Sequence, residues 1–300
     1  MKINMIRSDK VYQEMLELPL EKREGCFRAK ILAPFATKYQ TQHIPLKAKY
    51  PGGFDALFLL GFMNQLPATL SEKDRPAIDA LSSDQLWQDC QETIKRSIGL
   101  FEQAGYDLEV EDYHFTILLG NPEKPMLQLN KGYSGDGGIP GYLMLSLLPN
   151  DYTLSRVQAA LAHECNHNVR FQFVKWNQQT TLADWVVSEG LAESFAAELY
   201  GKDLIGSWVT STSPEQLEEI KPIISSQLQL TGMAEMAPYL YGDEIAEIQG
   251  QLPVGMPYAA GYAYGYHLIQ AYLKKTGKSI IEATVTPTEE ILEATKDFWK

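Results

Sequence analysis

Residues 161–171, LAHECNHNVRF, contain two of the chain's five histidines, His163 and His167, with Glu164 directly after the first. On a helix, residues four apart differ by about 40° in direction, so the two imidazoles share one face roughly 6 Å apart. Imidazoles at that spacing can bind one Zn²⁺ at about 2.0–2.1 Å each. Glu164 points about 100° away, where it flanks the metal as general base for a metal-activated water. The HExxH pattern therefore predicts a catalytic metal site.

A complete site needs a third ligand, and the next helical pattern, WVVSEGLAE, supplies Glu189. If the two helices pair antiparallel about the KWNQQ connection, His167 and Glu189 both lie about 10–12 Å from it, at matching height. An apolar run surrounds Glu189, where an unpaired charge is costly. The set His163, His167 and Glu189 leaves a fourth zinc position for water, as catalytic zinc requires.

Other residues near these motifs have weaker signals. Glu193 lies one turn beyond Glu189 and is predicted to accept the free ring N–H of a ligand histidine, which fixes the ring's orientation; a solvated surface glutamate is the alternative. Cys165 points nearly opposite the first histidine and is predicted to be a small core residue. His43 and His114 have no partners at ligand spacing, so no role is assigned to them.

The remaining sequence predicts helices, then a small sheet, then helices. YHFTILLG (113–120) and GYLMLSLLP (141–149) are β-branched or apolar runs typical of strands, and the glycine-rich KGYSGDGGIPG between them predicts a loop. Capped helical patterns occur before residue 105 and return after residue 151. This order predicts an α+β fold with a small mixed sheet in the N-terminal half, packed on a mostly helical C-terminal half that carries the metal site.

Two regions follow from this pattern. Residues 1–150 are predicted to form an N-terminal helical and small-sheet region with a substrate-side edge strand, and residues 151–300 a helical, metal-binding catalytic region. Residues 202–255 show no readable pattern, so loops that act as a lid or a cleft wall are expected there.

Composition limits the function further. A net charge of -12 disfavours nucleic-acid and anionic-membrane partners, because both would be repelled. The N-terminus lacks the apolar core of a secretory signal, and no run reaches the ~18 apolar residues of a membrane span. The three scattered cysteines give neither a disulfide framework nor a cysteine zinc site. These features predict a cytoplasmic protein with reduced thiols.

Three segments together resemble a known family. His163-Glu164-x-x-His167 followed by W-x-x-x-E-G-x-A at 185–192 resembles the gluzincin metallopeptidases, and Pro-Tyr-Ala-Ala-Gly at 257–261 is similar to the P-Y-E-K-G of the zinc aminopeptidases. The closer resemblance is to the YjaZ-like predicted zinc-dependent proteases, with H-E-x-N-H-x-x-R, W-x-x-x-E-G-L-A-E and G-G-I-P-G-Y segments. These stand here at 163–170, 185–193 and 137–142 and span roughly the C-terminal 170 residues.

The resemblance implies a zincin-like fold and a zinc-dependent peptidase with a tyrosine oxyanion donor, which is Tyr258 in this chain. His267 and Tyr262 are the rival donors. Tyr258, Tyr262 and Tyr266 recur every four residues, and such an aromatic stripe is more typical of core packing than of catalysis. The aminopeptidase G-x-M-E-N segment, whose Glu binds the substrate's free amine, is absent from the sequence. An endopeptidase or oligopeptidase is therefore favoured over an aminopeptidase.

The expected partner is a peptide or protein substrate. The strand near 141–147 is predicted to pair with it main chain to main chain, with Gly138, Gly141, Tyr142 and His267 as candidate contacts; a flexible hairpin loop is the alternative. Two other functions stay open. One is a non-catalytic zinc-binding interaction or regulatory module, and the other is a metal-dependent amidohydrolase acting on a non-peptide amide.

Overall fold

The structure is a computed structural model that describes residues 1–63, 69–177 and 179–299. The chain divides into two compact units, Met1–Arg96 with Glu109–Glu164 and Ser97–Leu108 with Cys165–Lys300. The boundary after Glu164 lies inside one continuous helix, Val157–Phe173. The functional division predicted at residue 150 stays a prediction, because compactness alone does not define a domain.

A four-stranded mixed sheet lies in the first unit. Its strands are β1 (Lys2–Met5), β2 (Asp112–Leu119), β3 (Tyr133–Asp136) and β4 (Tyr142–Leu147). Their order is β1-β2-β4-β3, with β1, β2 and β4 parallel and β3 antiparallel to β4. The apolar runs of β2 and β4 are buried along most of their length, as expected for central parallel strands. The two predicted strands and the α+β class with its small mixed sheet are confirmed.

Two features of the sheet differ from the sequence prediction. The segment predicted as a loop contains β3, because glycine carries almost no strand signal in a sequence pattern. The strand predicted to pair with substrate is β4, which is hydrogen-bonded to β2 on one side and to β3 on the other. A strand paired on both sides cannot add a substrate strand, so that prediction is wrong. The edge strand at this end of the sheet is β3.

Helices make up most of the rest of the first unit, and two of them continue into the second. α6 shows why they form: its residues Trp87, Cys90, Ile94, Ile98 and Phe101 recur at spacings of three and four and are all buried. The helices are α1 (Ser8–Glu17), α2 (Leu20–Phe27), α3 (Ala36–Thr41), α4 (Ala56–Phe62), α5 (Arg75–Ala80), α6 (Asp84–Gln103), α7 (Pro125–Leu129), α8 (Asp151–Leu154) and α9 (Val157–Phe173).

The second unit is helical. Its further helices are α10 (Leu182–Tyr200), α11 (Ser207–Thr210), α12 (Pro214–Ser225), α13 (Met233–Tyr241), α14 (Asp243–Ile248), α15 (Ala260–Thr276), α16 (Ile280–Val285), α17 (Thr288–Ala294) and α18 (Lys296–Trp299). The loops expected at 202–255 are a wrong prediction, since α11 to α14 lie there. These helices are short, and Pro222 and Pro238 lie inside two of them, where proline in a sequence ordinarily argues against a helix.

α10 and α15 cross so closely that only glycine fits between them. A Cβ on Gly190 would meet the backbone of Gly265 at well under 3.0 Å, and a Cβ on Gly265 would meet the Val186 carbonyl in the same way. α10 starts at a capping box formed by Thr181 and Asp184 and ends at Gly201. Among the described helices, none has the length and apolar character needed to cross a membrane. The cytoplasmic location stays a prediction.

Candidate metal centre

Helix α9 places the three residues of the HExxH pattern. His163, Glu164 and His167 are all nearly buried, and the helix runs without interruption through them. Cys165, on the same helix, is fully buried, in agreement with its predicted place in the core. Because these side chains belong to one continuous helix, its geometry fixes their directions relative to one another.

Helix α10 adds the third group. His163, His167 and Glu189 each offer one ligand atom, and these three atoms lie within 4.8 Å of one another. Nε2 of His167 and Oε2 of Glu189 are 3.4 Å apart. Two bonds of about 2.0–2.1 Å to one tetrahedral ion separate the bonded atoms by about 3.3 Å. Donor types and spacing therefore fit Zn²⁺, and three protein ligands leave a coordination position for a water or substrate.

The carboxylate of Glu189 is oriented by Trp185, one turn earlier on α10. The indole Nε1 of Trp185 donates a hydrogen bond to Oε1 of Glu189 at 3.1 Å, while Oε2 faces His167. Gly190, which directly follows Glu189, lies in the close crossing of α10 with α15. The four-residue spacing from Trp185 to Glu189 thus has a physical reason, which the sequence analysis did not supply.

Glu193 is nearly buried and has partners in the segment after α10. It accepts hydrogen bonds from the backbone N–H of Gly206 at 2.6 Å and from the indole Nε1 of Trp208 at 2.8 Å. A carboxylate has room for further donors, so the predicted bond to a ligand histidine stays a prediction. The contacts found here attach residues 206–208 to the helix that carries Glu189.

Glu164 lies against glycines of the first unit. A Cβ on Gly135, in β3, would overlap the Glu164 carboxylate, and a Cβ on Gly137 would overlap the Glu164 main-chain carbonyl. Asp136 between them forms an ion pair with Lys38 at 2.8 Å, and the Lys38 side chain is almost fully buried. The absence of side chains at 135 and 137 is therefore what lets the edge strand approach this carboxylate.

Three of the candidate substrate contacts, Gly138, Gly141 and Tyr142, follow that strand in the chain, and His267 lies on α15. Tyr142 is the first residue of β4, and its ring stacks on that of His114 with centroids 5.3 Å apart. The backbone N–H of His114 donates to the carbonyl of Gly141 at 2.8 Å. Gly141 has a φ of +88°, which favours glycine. Space around Gly138 is open, with the nearest atom 3.9 Å from a Cβ placed there. No contact tests a substrate role, so these four assignments, His267 included, stay predictions.

Tyr241, which no sequence motif indicates, lies against Trp185, the residue whose indole binds Glu189. Its ring packs edge-on against Trp185 with centroids 6.1 Å apart. Burial of the phenol and the negative charge of Glu189 raise its pKa above the ordinary range. A hydrogen bond with Tyr262 partly offsets this rise in the pKa of Tyr241.

The predicted oxyanion donors occupy different surroundings. Tyr258 is half-buried, and the backbone around it pairs with the end of α13, where the N–H of Ala259 donates to the carbonyl of Tyr241 at 2.8 Å. Burial and the positive charge of Lys221 both lower the pKa of His267. The chain around Tyr258 therefore contacts the end of the helix that carries Tyr241.

Fold and site together define an α+β protein with a buried His₂Glu group that could hold a metal ion. A family described as "Predicted Zn-dependent protease (DUF2268)" matches residues 86–293. The chain is 33% identical over 293 residues to "Uncharacterized protein YjfC" of Bacillus subtilis (strain 168), covering 97% of each. It is 28% identical over 155 residues to "Uncharacterized protein YjaZ" of the same organism, covering 50% of this chain and 55% of that protein. No solved structure matches.

The chain belongs to this family of predicted zinc-dependent proteases. The resemblance to the YjaZ-like proteins found in the sequence is thereby confirmed.

Proposed function

We propose that this protein is a zinc-dependent metallopeptidase of the gluzincin type. One observation carries the proposal: the histidine and glutamate side chains meet within 4.8 Å in a buried site, at the separation that a shared zinc ion requires. The family's description supports the same chemistry. The missing acidic amine-binding segment supports an endopeptidase or oligopeptidase over an aminopeptidase.

His163, His167 and Glu189 would hold the ion. When bound, zinc polarises the scissile carbonyl and makes a water more acidic. Trp185 keeps one oxygen of Glu189 in place through its indole bond, so the other oxygen stays directed at His167. Fixing a ligand through a partner of this kind strengthens metal binding in proteins generally.

Glu164 is the proposed general base. It would take the proton of the attacking water and pass it to the nitrogen of the leaving amine. The glycine at 135 leaves room for this carboxylate next to β3, and β3 is the edge strand of the sheet. A peptide substrate added along β3 would place its main chain beside Glu164, which supports this edge rather than β4 as the substrate side.

The oxyanion of the transition state requires a hydrogen-bond donor. Tyr258 is the candidate drawn from the family resemblance, and Tyr241 is a second candidate supported by its position against Trp185 and beside Glu189. A neutral phenol in a buried site can donate to a developing negative charge without reorganising solvent. Both tyrosines are therefore proposed as donors to be compared directly.

The test is zinc content together with cleavage of a mixed peptide library, comparing wild type with Glu164→Gln. Wild type should bind one zinc per chain and cut internal peptide bonds. Glu164→Gln should keep the zinc and lose about 10²–10⁴-fold in turnover, the usual contribution of a positioned general base. Zinc binding without any cleavage by wild type would instead indicate a binding module, and full activity in Glu164→Gln would remove that residue from the mechanism.

A further inference from the structure

Two residues of the H-E-x-N-H-x-x-R segment are not explained by metal binding. Asn166 and Arg170 lie four residues apart on α9 and therefore share a face, and both are fully buried. Both donate hydrogen bonds to the segment that ends α16 and begins α17. Nδ2 of Asn166 donates to the hydroxyl of Thr284 at 2.7 Å.

Arg170 connects three parts of the second unit. Its Nη1 donates to the carbonyl oxygens of Thr284 at 2.8 Å and Thr286 at 3.1 Å. Its Nη2 donates to the hydroxyl of Thr288 at 3.1 Å, and its Nε donates to the hydroxyl of Ser188 at 3.1 Å. The planar guanidinium has donors in a rigid fork, so these acceptors fix its position closely.

Burying a guanidinium cation costs free energy unless hydrogen bonds or opposite charges compensate for the lost water. The four acceptors are neutral oxygens, while the carboxylates of Asp184 and Glu289 act on the guanidinium through space. Desolvation lowers the pKa of Arg170 to about 10, so the side chain is still charged at neutral pH. Four hydrogen bonds to these oxygens compensate part of the cost of burying the cation and hold it in one position.

The bond to Ser188 lies next to the metal centre. Arg170 follows His167 by three residues on α9, and Ser188 directly precedes Glu189 on α10. The Arg170–Ser188 bond therefore joins the same two helices as the His167–Glu189 pair, about one helical turn away. A small rotation or slide of α10 against α9 would change both separations together.

We propose that Arg170, supported by Asn166, is a positioning residue for the metal centre. Its bond to Ser188 fixes the position of α10 along α9, and its bonds to residues 284, 286 and 288 hold the guanidinium in place. This inference rests on the proposed function, because it takes His167 and Glu189 to be ligands of one zinc ion. It assigns the Asn and the Arg of that motif to the alignment of those ligands.

Ser188→Ala tests the proposal, and Ser194→Ala is the matched control. Both serines are buried on α10, and Ser194 bonds Gln270 rather than Arg170. Ser188→Ala should weaken zinc binding about 10-fold or more, measured by competition with a chelator, and should alter the absorption spectrum of the Co²⁺-substituted protein. Ser194→Ala should match wild type in both measurements. Arg170→Lys, which keeps the charge but loses the fork, should weaken zinc binding further.

Thermal unfolding of the metal-free proteins separates alignment from general stability. If Ser188→Ala and Ser194→Ala lower the melting temperature alike while zinc affinity and Co²⁺ spectrum stay at wild-type values, the positioning role is overturned. If Arg170→Lys does not fold, the comparison of Ser188→Ala with Ser194→Ala still tests the positioning role. A wild type that binds no zinc would overturn the proposed function and this role together, whereas zinc binding and cleavage unaffected by Ser188→Ala would overturn the positioning role alone.

Discussion

The helix pair α9–α10 and the edge strand β3 contribute to the site in opposite ways. On the helices the chemistry resides in side chains: His167 and Glu189 are 3.4 Å apart because each has a long polar group directed at the other. On the strand the contribution is the absence of a side chain, since only glycine at 135 leaves room for the Glu164 carboxylate. Residue types that act by their functional groups can be recognised in a sequence, and residues that act by leaving space cannot.

The largest expected effect is on the helix pair. Replacing Glu189 with Ala removes one of the three proposed ligands, and bound zinc should fall from one per chain to near zero, with activity reduced by about 10³-fold or more. Glu198→Ala, at an exposed position on the same helix, is the control and should keep both. Metal content by mass spectrometry and peptide cleavage measure the effect. Wild-type zinc affinity in Glu189→Ala would contradict the proposal that side chains of α9 and α10 hold the ion.

A second prediction compares two tyrosines of the helical unit. Tyr241→Phe should reduce kcat by about 10²-fold with zinc content unchanged, the usual loss for one oxyanion donor, because its ring packs against Trp185, whose indole binds Glu189. Tyr258→Phe has the same size and chemistry and should have the smaller effect. The reverse order of effects in steady-state assays would assign the donor to Tyr258, as the family resemblance implies.

The sequence was sufficient for the parts of the site that follow helical geometry. The spacing of four in HExxH, the apolar run around Glu189 and the caps of α10 each have a local physical cause, so they could be predicted without coordinates. The strands at β2 and β4 were predicted for the same reason, since continuous apolar runs are a local signal. The family membership followed from these segments and is confirmed.

Other contributions depend on contacts between distant parts of the chain. Tyr241 comes 52 residues after Glu189 along a segment with short, proline-interrupted helices, so no spacing rule connects the two. The buried Lys38–Asp136 ion pair joins residues nearly a hundred positions apart. Arg170 is part of the sequence motif, but the motif does not explain it. Its role is seen only in its buried hydrogen bonds to Ser and Thr oxygens.

The smallest expected effect is on the edge strand, where Gly135→Ala adds a single methyl group. That methyl overlaps the carboxylate end of Glu164, which can rotate away, so folding should be little affected. The displaced carboxylate should then lower kcat about 10-fold, with zinc content unchanged, because a general base must stay within hydrogen-bond reach of the water. Gly25→Ala, where an added methyl meets no other atom, should keep the wild-type kcat.

Comparing Gly137→Ala with Gly135→Ala distinguishes an effect on kcat from an effect on stability. Its methyl would overlap the main-chain carbonyl of Glu164, and a backbone cannot rotate away as a side chain can. Gly137→Ala should therefore lower the melting temperature, whereas Gly135→Ala should lower kcat with the melting temperature kept. If both variants lost stability and neither lost kcat in the folded fraction, the strand would be a packing surface for α9 and no part of the catalytic site. A kcat loss confined to Gly135→Ala would place the edge strand beside the general base during turnover.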